Sequence, residues 1–507
     1  MKNLSLSSAT RPNTRKNSIK HLIILLALAA AIGIYLIATT VMISQDGVTY
    51  ISSARTFAEK PITNLRRLPV HPGYLTLVLA ANKLISPFIA AADSESLIIS
   101  AQSVALLCRL ASIVLLYFIG RLLVGPAMTF LALLILIMLP LPARYASDTL
   151  GDWPHLMFLA AGLLLLLAGA RSGRWWMFGA AGLAAGLGFL IRPESGQLLA
   201  YGAAWLVLCL ISPKRKTTRP RAAAAMILLI TGFAVTAGPY ILHVGYLLPE
   251  QRLGPLPHFA DAADNHSDVT PSPPQSLARI VPAKIARAIA KLAKNICETL
   301  MYYFVPAVAI GLYCRFRRES NADSVERFFI LSFIALNVVV LVALHHNYGY
   351  ISKRHSLPLI VMTTFYIPLG LRTISARLQK DQPAHAASAE TRSSLLFCAL
   401  LFVGLAICVP KLLRPLHADK KYIKLAAQWL SRNTCQDDLI QAPDPRIAFF
   451  AQRPWIPETH ALKTKPEYVV RKLEQSPDPN RLEPQNLRPV FSSPAGKDSL
   501  LVIYKVD

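Results

Sequence analysis

HLIILLALAAAIGIYLIATTVMISQDGVTYISSAR, residues 21–55, joins an apolar segment to a part-amphipathic stretch and decides the fold. Residues 21–43 are almost wholly apolar and long enough to cross a bilayer as one helix. They are too long for the core of a signal peptide, so we interpret them as a retained anchor. Asp46 follows directly, at the membrane surface. A carboxylate there suits a general base, although an idle loop acid would occupy the same position.

The composition excludes a soluble domain, because 53% of the 507 residues are hydrophobic and only 16% are charged. Apolar runs of about twenty residues recur along the chain and are too long for the strands of a membrane barrel. We therefore predict an α-helical polytopic membrane protein with about eleven transmembrane helices. The predicted spans lie near residues 21–43, 95–119, 126–145, 153–170, 175–191, 196–212, 222–246, 296–313, 328–344, 355–371 and 394–411.

The net charge of +25 predicts an orientation rather than a nucleic-acid partner. The N-terminal tail and the loop 213–221 are both strongly basic, and an even number of predicted spans separates them. The positive-inside rule places both in the cytoplasm. We therefore expect a cytoplasmic N-terminus and an extracytoplasmic C-terminus, in a bacterial inner membrane.

Three regions follow from this topology. Residues 1–20 form a basic cytoplasmic tail, 21–413 a transmembrane domain with a long outer loop at 44–94, and 414–507 a small extracytoplasmic α/β domain. In the last region, 418–432 and 466–475 are predicted as helices and L-L-V-I-Y-K-V as a strand.

Residues 276–294 predict a basic amphipathic helix. Its basic face carries Lys284, Arg287, Lys291 and Lys294, and its apolar face carries Val281, Ile285, Ile289 and Leu292. We interpret it as anchored to anionic membrane lipids.

Acidic residues gather in the predicted outer loops. Asp46 lies in the first, and Asp148 and Asp152 lie in Y-A-S-D-T-L-G-D-W between the third and fourth spans. Each alone is explained as a solvated loop acid, but two outer loops that both present carboxylates at the membrane face indicate a shared site.

Basic and aromatic residues form the second group of candidates. Arg192 and Glu194 end the fifth span, where they either pair with each other or help to bind a lipid phosphate. Arginine suits phosphate because its planar guanidinium donates in parallel. The remaining candidates are Tyr50, His71, Lys353, Arg354 and His355.

Motifs for other chemistry are missing from the sequence. There is no Walker loop, no Rossmann fingerprint after a strand and no HExxH. The seven cysteines are scattered without metal-ligand spacing. The sequence therefore identifies no certain cofactor, and it does not support a divalent metal.

Asp46 with Tyr50 and the later H-P-G-Y at 71–74 resemble the GT-C membrane glycosyltransferases. The closest likeness is to the branch that holds the dolichyl-phosphate-mannose protein mannosyltransferases and the aminoarabinose transferases. S-G-R-W-W-M-F-G-A-A-G-L-A-A-G-L-G-F-L-I-R-P-E resembles a span region of that branch, and A-A-Q-W-L-S-R-N-T its small outer domain.

The resemblance implies a sugar donor on a polyprenyl phosphate, with Asp46 as the general base. Asp148 or Asp152 would assist, and Arg354 would hold the donor phosphate. Many relatives have Asp-Glu where this chain has Asp46-Gly47, which weakens any mechanism that needs two adjacent carboxylates.

The chemistry is consistent with the residues. A polyprenyl phosphate leaves readily once its charge is neutralised, so cations and one base suffice for inverting transfer to an acceptor hydroxyl. The acceptor is a lipid, a glycan or a protein. A transporter or lipid flippase without catalysis is the alternative, and an assembly protein is the third, but a transporter usually binds near the membrane midplane between internal repeats.

Overall fold

Long apolar helices make up most of the computed structural model, which describes residues 11–89, 93–212, 218–245, 277–317, 322–379, 386–457, 465–474, 487–496 and 499–506. Of the basic segments that predict the orientation, residues 1–10 and 213–217 lie outside these ranges. In chain order the helices are α1 (Arg11–Ala38), α2 (Gln45–Glu59), α3 (Pro61–Asn64), α4 (Pro72–Ile85), α5 (Asp93–Leu123), α6 (Pro126–Met138), α7 (Pro140–Tyr145), α8 (Asp152–Ser172), α9 (Trp176–Phe189), α10 (Gln197–Ile211), α11 (Arg219–Val244), α12 (Leu277–Thr299), α13 (Val305–Phe316), α14 (Ser324–Tyr348), α15 (Leu357–Thr363), α16 (Ile367–Leu378), α17 (Ala386–Leu412), α18 (Lys421–Asn433) and α19 (Pro445–Ala451).

The predicted helical membrane fold is confirmed. Within the described ranges, eight helical segments are long and apolar enough to cross a membrane. They are Asn17–Ala38, Asp93–Leu123, Asp152–Ser172, Pro193–Ile211, Arg219–Val244, Ser324–His346, Lys353–Leu378 and Arg392–Leu412. Three shorter apolar helices, α6, α9 and α13, overlap the other three predicted spans, and the span predicted at 296–313 is interrupted by a turn at residues 300–304.

Two span boundaries differ from the prediction for identifiable reasons. The predicted span 126–145 is two helices, because Pro140 and the extended residue before it end α6 and start α7. The first helix ends at Ala38, before residue 43, and Thr39–Ile43 forms an irregular turn. Met42 in that turn is buried in the core of the C-terminal domain, which explains why this apolar stretch is not helical.

Small residues let α9 and α11 pack closely. A Cβ built on Gly182 would lie 2.1 Å from the carbonyl oxygen of Leu229. A Cβ on Gly232 would lie 2.4 Å from the carbonyl oxygen of Gly179. Backbone contact of this kind is a common way for helices to associate where lipid gives no hydrophobic driving force.

The C-terminal domain is a five-stranded sheet with α18 and α19. Its strands are β1 (Ile440–Ala442), β2 (Trp455–Pro457), β3 (Tyr468–Glu474), β4 (Leu487–Pro494) and β5 (Ser499–Val506), in the order β2-β1-β3-β5-β4. Strand β1 is parallel to β2 and β3, while β5 is antiparallel to both β3 and β4. The predicted helix at 466–475 is wrong: Y-V-V-R-K-L-E pairs with β5, which suits its β-branched and aromatic residues.

Polar contacts mark the two ends of the helical bundle. At one end, Arg315 binds Glu326 at 2.6 Å and Arg171 binds Asp323 at 2.9 Å. The other end carries α2, the short helix α4 and the C-terminal domain, where the Arg55 guanidinium lies 5.9 Å from the Phe449 ring centroid. The candidate site lies at this second end.

Candidate active site

Asp46 and Arg354 meet directly, although they lie far apart in the chain. The Arg354 Nη2 lies 2.5 Å from the Asp46 Oδ2. The Asp46 side chain is 52% exposed and the Arg354 side chain 18%. The carboxylate is therefore open to an incoming molecule, while the guanidinium is largely held by protein.

Asp46 stands in the first turn of α2, and the local sequence fixes it there. Ser44 is the N-cap of α2, and its hydroxyl accepts a hydrogen bond from the Gly47 N–H at 3.1 Å. A Cβ on Gly47 would lie 1.8 Å from the Thr149 Oγ1. The α2 backbone thus approaches the loop before α8 so closely that residue 47 has no room for a second carboxylate.

Asp152 and Arg192 form a second ion pair. The Arg192 Nη2 lies 3.0 Å from the Asp152 Oδ1, and the Asp152 side chain is only 2% exposed. Burial favours a neutral Arg192, but Asp152, Tyr50 and Glu194 outweigh it and raise the pKa of Arg192 above its ordinary value. The guanidinium therefore stays charged. Asp152 Oδ2 has no hydrogen-bond partner within the described part of the chain.

Tyr50 lies near both ion pairs, because its phenol interacts electrostatically with all four of their members. Its ring packs edge-on against the Tyr74 ring at 5.0 Å between centroids. Burial raises the pKa of the Tyr50 phenol, and the nearby charges of Arg192 and Arg354 only partly offset this. The phenol therefore keeps its proton at neutral pH and can donate a hydrogen bond to a ligand between the two arginines.

Asp148 is buried, whereas Asp46 is half-exposed. Its Oδ2 lies 3.1 Å from the His417 Nε2, and its Oδ1 accepts from the N–H groups of Ser44 and Thr149 at 3.1 and 2.8 Å. Burial raises the pKa of Asp148, but His417 and the two N–H groups outweigh it, so the pKa lies below its ordinary value. These contacts make Asp148 a fixed anion that holds the start of α2.

Lys353 points away from Asp46. Its Nζ lies 2.5 Å from the Oε2 of Glu298, at the end of α12. Two adjacent residues therefore contact different parts of the protein. Arg354 binds Asp46, and Lys353 binds α12.

His71 lies behind the ion pairs in an apolar setting. Its ring packs against the rings of Phe189 and Tyr240, each 5.4 Å away between centroids. Burial lowers the pKa of His71 to about 4, which Glu194 only partly offsets, so the imidazole is neutral at neutral pH. Neither ring nitrogen has a hydrogen-bond partner among the described residues. The next residues fix α4 against the fifth predicted span, because the Gly73 N–H donates to the Leu190 carbonyl at 2.6 Å.

Glu194 and His355 lie near each other and near Arg192. Glu194 interacts electrostatically with Arg192, His155 and His355. His155 stands one turn after Asp152 on α8, and sequence reasoning missed it. The signal was available, since residues three apart on a helix share a face.

Sequence reasoning also missed Arg109 and His417. Arg109 is fully buried inside α5, where it donates to the Ile137 carbonyl at 3.1 Å and lies over the Trp153 ring at 5.7 Å. A charge within an apolar span could have indicated it. His417 has no local sequence signal, because its role depends on the packing of the C-terminal domain.

The described residues contain no group of three or more His, Cys, Asp or Glu side chains that could hold a metal ion. The chemistry available in the described site is therefore one exposed carboxylate and two arginines, with a protonated tyrosine near both arginines. This combination can bind a phosphate and take a proton from a hydroxyl beside it.

Comparisons with known proteins show which fold this chain shares. Residues 89–238 match the family model described as dolichyl-phosphate-mannose-protein mannosyltransferase. No curated protein matches the sequence significantly. The oligosaccharyltransferase of Archaeoglobus fulgidus in the apo form is similar in structure, with a TM-score of 0.56 and 11% identity over 89% of this chain and 69% of that chain.

Two further solved structures are similar. AglB from the same archaeon, in complex with an inhibitory peptide and a dolichol-phosphate, has a TM-score of 0.56 and 10% identity over 89% of this chain and 65% of that chain. ArnT from Cupriavidus metallidurans, bound to undecaprenyl phosphate, has a TM-score of 0.54 and 12% identity over 95% of this chain and 97% of that chain. The chain therefore has the GT-C fold, the fold of a superfamily of membrane glycosyltransferases.

Proposed function

We propose that this integral membrane protein transfers a sugar from a polyprenyl-phosphate donor to an acceptor hydroxyl. The contact between Asp46 and Arg354 carries the proposal, because it joins the two groups that the reaction needs. The family match supports a transferase. The neighbours that bind dolichol-phosphate and undecaprenyl phosphate support a lipid-linked donor.

The donor phosphate would bind between the two arginines. Arg354 binds Asp46 in the structure, and an incoming phosphate would replace that carboxylate on the guanidinium. Arg192 and the Tyr50 hydroxyl lie close enough to interact with the same groups. Charge-assisted bonds from arginine to phosphate oxygens would stabilise the negative charge that grows on the phosphate as its bond to the sugar breaks.

Asp46, released from Arg354, would then act as the general base. The acceptor oxygen attacks the anomeric carbon from the face opposite the phosphate and gives its proton to the Asp46 carboxylate. The new oxygen–carbon bond forms as the carbon–oxygen bond to phosphate breaks, and the electron pair leaves on the phosphate. The configuration at the anomeric carbon inverts. One carboxylate is sufficient for this step, which suits a site with no room for an acid at residue 47.

Incubation of the purified protein with a panel of polyprenyl-phosphate sugars tests the proposal. We expect release of polyprenyl phosphate from at least one donor, with the sugar recovered on an added acceptor in inverted configuration. A transporter or flippase would instead move the intact lipid across proteoliposomes without cleavage. Intact donor across the whole panel, combined with lipid movement, would replace the proposed function by that alternative.

We also propose that Asp46 faces the outside of a bacterial inner membrane, with the N-terminus in the cytoplasm. An Asp46→Cys variant tests this in a background where the exposed Cys398 and Cys435 are replaced by serine. A membrane-impermeant maleimide added to spheroplasts should label residue 46. Labelling only after the membrane is opened would reverse the orientation.

A further inference from the structure

Helix α12 presents three distinct faces along its length. Its inner face buries Ala288, Leu292 and Asn295 against the protein, and Leu292 packs with Leu341 and Ile351. The other two faces stay open.

One open face is basic and the other is apolar. Lys284, Arg287, Lys291 and Lys294 are exposed on the basic face. Ile285 is 38% exposed and Ile289 is 52% exposed on the apolar face. Since helical residues advance by about 100° each, the basic residues and the isoleucines flank the buried face on opposite sides.

We propose that α12 lies along the membrane surface and binds the headgroups of anionic phospholipids. The isoleucines would enter the boundary of the acyl chains while the lysines contact the lipid phosphates. A helix with one apolar flank and one basic flank matches that boundary in both polarity and charge. A soluble acidic partner would account for the basic flank but would leave the isoleucines in water.

Two contacts join α12 to the segment that carries Arg354. Glu298 of α12 binds the Nζ of Lys353 at 2.5 Å. Asn295 donates to the Ile351 carbonyl at 3.0 Å. Ile351 and Lys353 precede Arg354 within one short segment, so a lipid that fixes α12 also fixes the approach to Arg354. This second step rests on the proposed function, whereas lipid binding does not.

The binding step is tested on the full chain with phosphatidylglycerol. Native mass spectrometry of the detergent-solubilised protein measures how many molecules of this lipid it retains. A Lys284→Gln, Lys291→Gln variant should lose about fivefold in apparent affinity for each charge removed. The matched control is Lys472→Gln, Lys505→Gln, which removes two exposed lysines from the sheet of the C-terminal domain. Equal lipid retention by the wild type and both variants would overturn the proposal, as would an equal loss in both variants.

The coupling step is tested by turnover in nanodiscs of pure phosphatidylcholine and of phosphatidylcholine with phosphatidylglycerol. We expect the anionic lipid to raise wild-type turnover several-fold, and the Lys284→Gln, Lys291→Gln variant to match the wild type only in pure phosphatidylcholine. If anionic lipid raises both proteins equally, the link from α12 to Arg354 is refuted while the binding result stands. If no donor is turned over at all, the proposed function fails, and the lipid measurement still decides the binding step.

Discussion

Arg354 is mostly held inside the protein, and a buried guanidinium needs an anion beside it to offset its desolvation. Asp46 supplies that anion in the structure, at 2.5 Å. The donor phosphate would supply it in the complex, which frees the half-exposed Asp46 for the acceptor. Under the proposed function, donor binding and activation of the base would be linked by one arginine, and the base would be released only when there is a sugar to transfer.

Substitution of these two residues should separate turnover from donor binding. Asp46→Asn keeps the shape but cannot take a proton, so turnover should fall by about 10²–10⁴-fold. Donor affinity should persist, because the phosphate contacts come from the arginines. Arg354→Ala should weaken donor binding together with turnover. Steady-state turnover and equilibrium binding of a radiolabelled donor measure the two quantities.

Asp437→Asn is the matched control, since Asp437 is an exposed acid of the C-terminal domain. It should behave as the wild type in both assays. A folded Asp46→Asn protein that keeps more than about a tenth of the wild-type rate would remove Asp46 from the role of base.

Gly47 offers a test of how closely α2 is seated. Gly47→Ala would place a Cβ 1.8 Å from the Thr149 Oγ1, so the helix start must shift and carry Asp46 with it. Overpacking of this kind costs about 1–3 kcal/mol, and we expect a lower unfolding temperature together with reduced turnover.

Thr149→Ala removes the clashing oxygen and should recover part of both losses in the double variant. Thermal unfolding and turnover of the two single variants and the double variant form a double-mutant cycle. If the two substitutions are strictly additive, residues 47 and 149 are not in contact, and the seating of α2 is different from the one described.

The segment between α6 and α8 is the element that organises the site. Arg109 holds the end of α6 through the Ile137 carbonyl, and the Trp153 indole N–H donates to the Pro142 carbonyl at 2.9 Å. Asp148 connects this segment to two others, because it binds the backbone of Ser44 and the imidazole of His417. His417 belongs to the linker 413–420, which leads into the C-terminal domain. This linker thereby sets the position of α2.

His417 should therefore control stability and turnover without touching substrate. Its backbone is left-handed, with φ of 51°, which asparagine tolerates better than most residues. His417→Asn should keep the backbone and an N–H donor, and should retain most of the activity. His417→Ala should leave the buried Asp148 carboxylate short of a partner, at a cost of about 1.5–3 kcal/mol. Equal stability of the two variants would show that the side-chain bond contributes nothing.

The pH dependence of His417→Ala follows from the direction of the Asp148 shift. The pKa of Asp148 is lower in the folded protein than in the unfolded chain, so its stabilising effect is complete above the unfolded value. It is lost as the pH falls through the folded value. Removal of His417 raises the folded pKa, and the acid-side loss of stability should move to higher pH. Thermal unfolding from pH 7 to pH 3 measures this movement.

At the scale of the whole molecule, the features that depend on local pattern could be predicted from the sequence. Apolar length located the spans, and the charge pattern of residues 276–294 located α12. The strand β3 was mistaken for a helix because its partner β5 is distant in sequence. The local sequence pattern does not show which strands pair with each other. The pair of Asp46 with Arg354 could be anticipated, since Asp46 follows one predicted span, Arg354 precedes another on the same predicted side, and the family resemblance gives a role to each. The contact of Asp148 with His417 could not, because only the docking of the C-terminal domain creates it.

That docking joins the two domains through the turn after the first helix. Met42 is 2% exposed within the core of the C-terminal domain, and the Val41 N–H donates to the Leu416 carbonyl at 3.2 Å. Tyr35 donates to the Leu413 carbonyl at 2.9 Å. The turn that connects the first span to Asp46 therefore packs against the C-terminal domain and its linker. The C-terminal domain thus helps to hold the candidate site in place.

Met42→Ala should loosen this support. Loss of a buried methionine side chain costs about 2–5 kcal/mol, and here the cost falls on the contact between the domains. We expect faster cleavage by trypsin within the linker 413–420, together with lower turnover, while the affinity for the donor changes less because Arg354 lies on another element. Leu425→Ala is the control, since Leu425 is 41% exposed on the same domain and its loss should leave cleavage unchanged. If Met42→Ala is as resistant to trypsin as the control yet loses turnover, the turn acts on Asp46 alone, and the C-terminal domain has no part in holding the site.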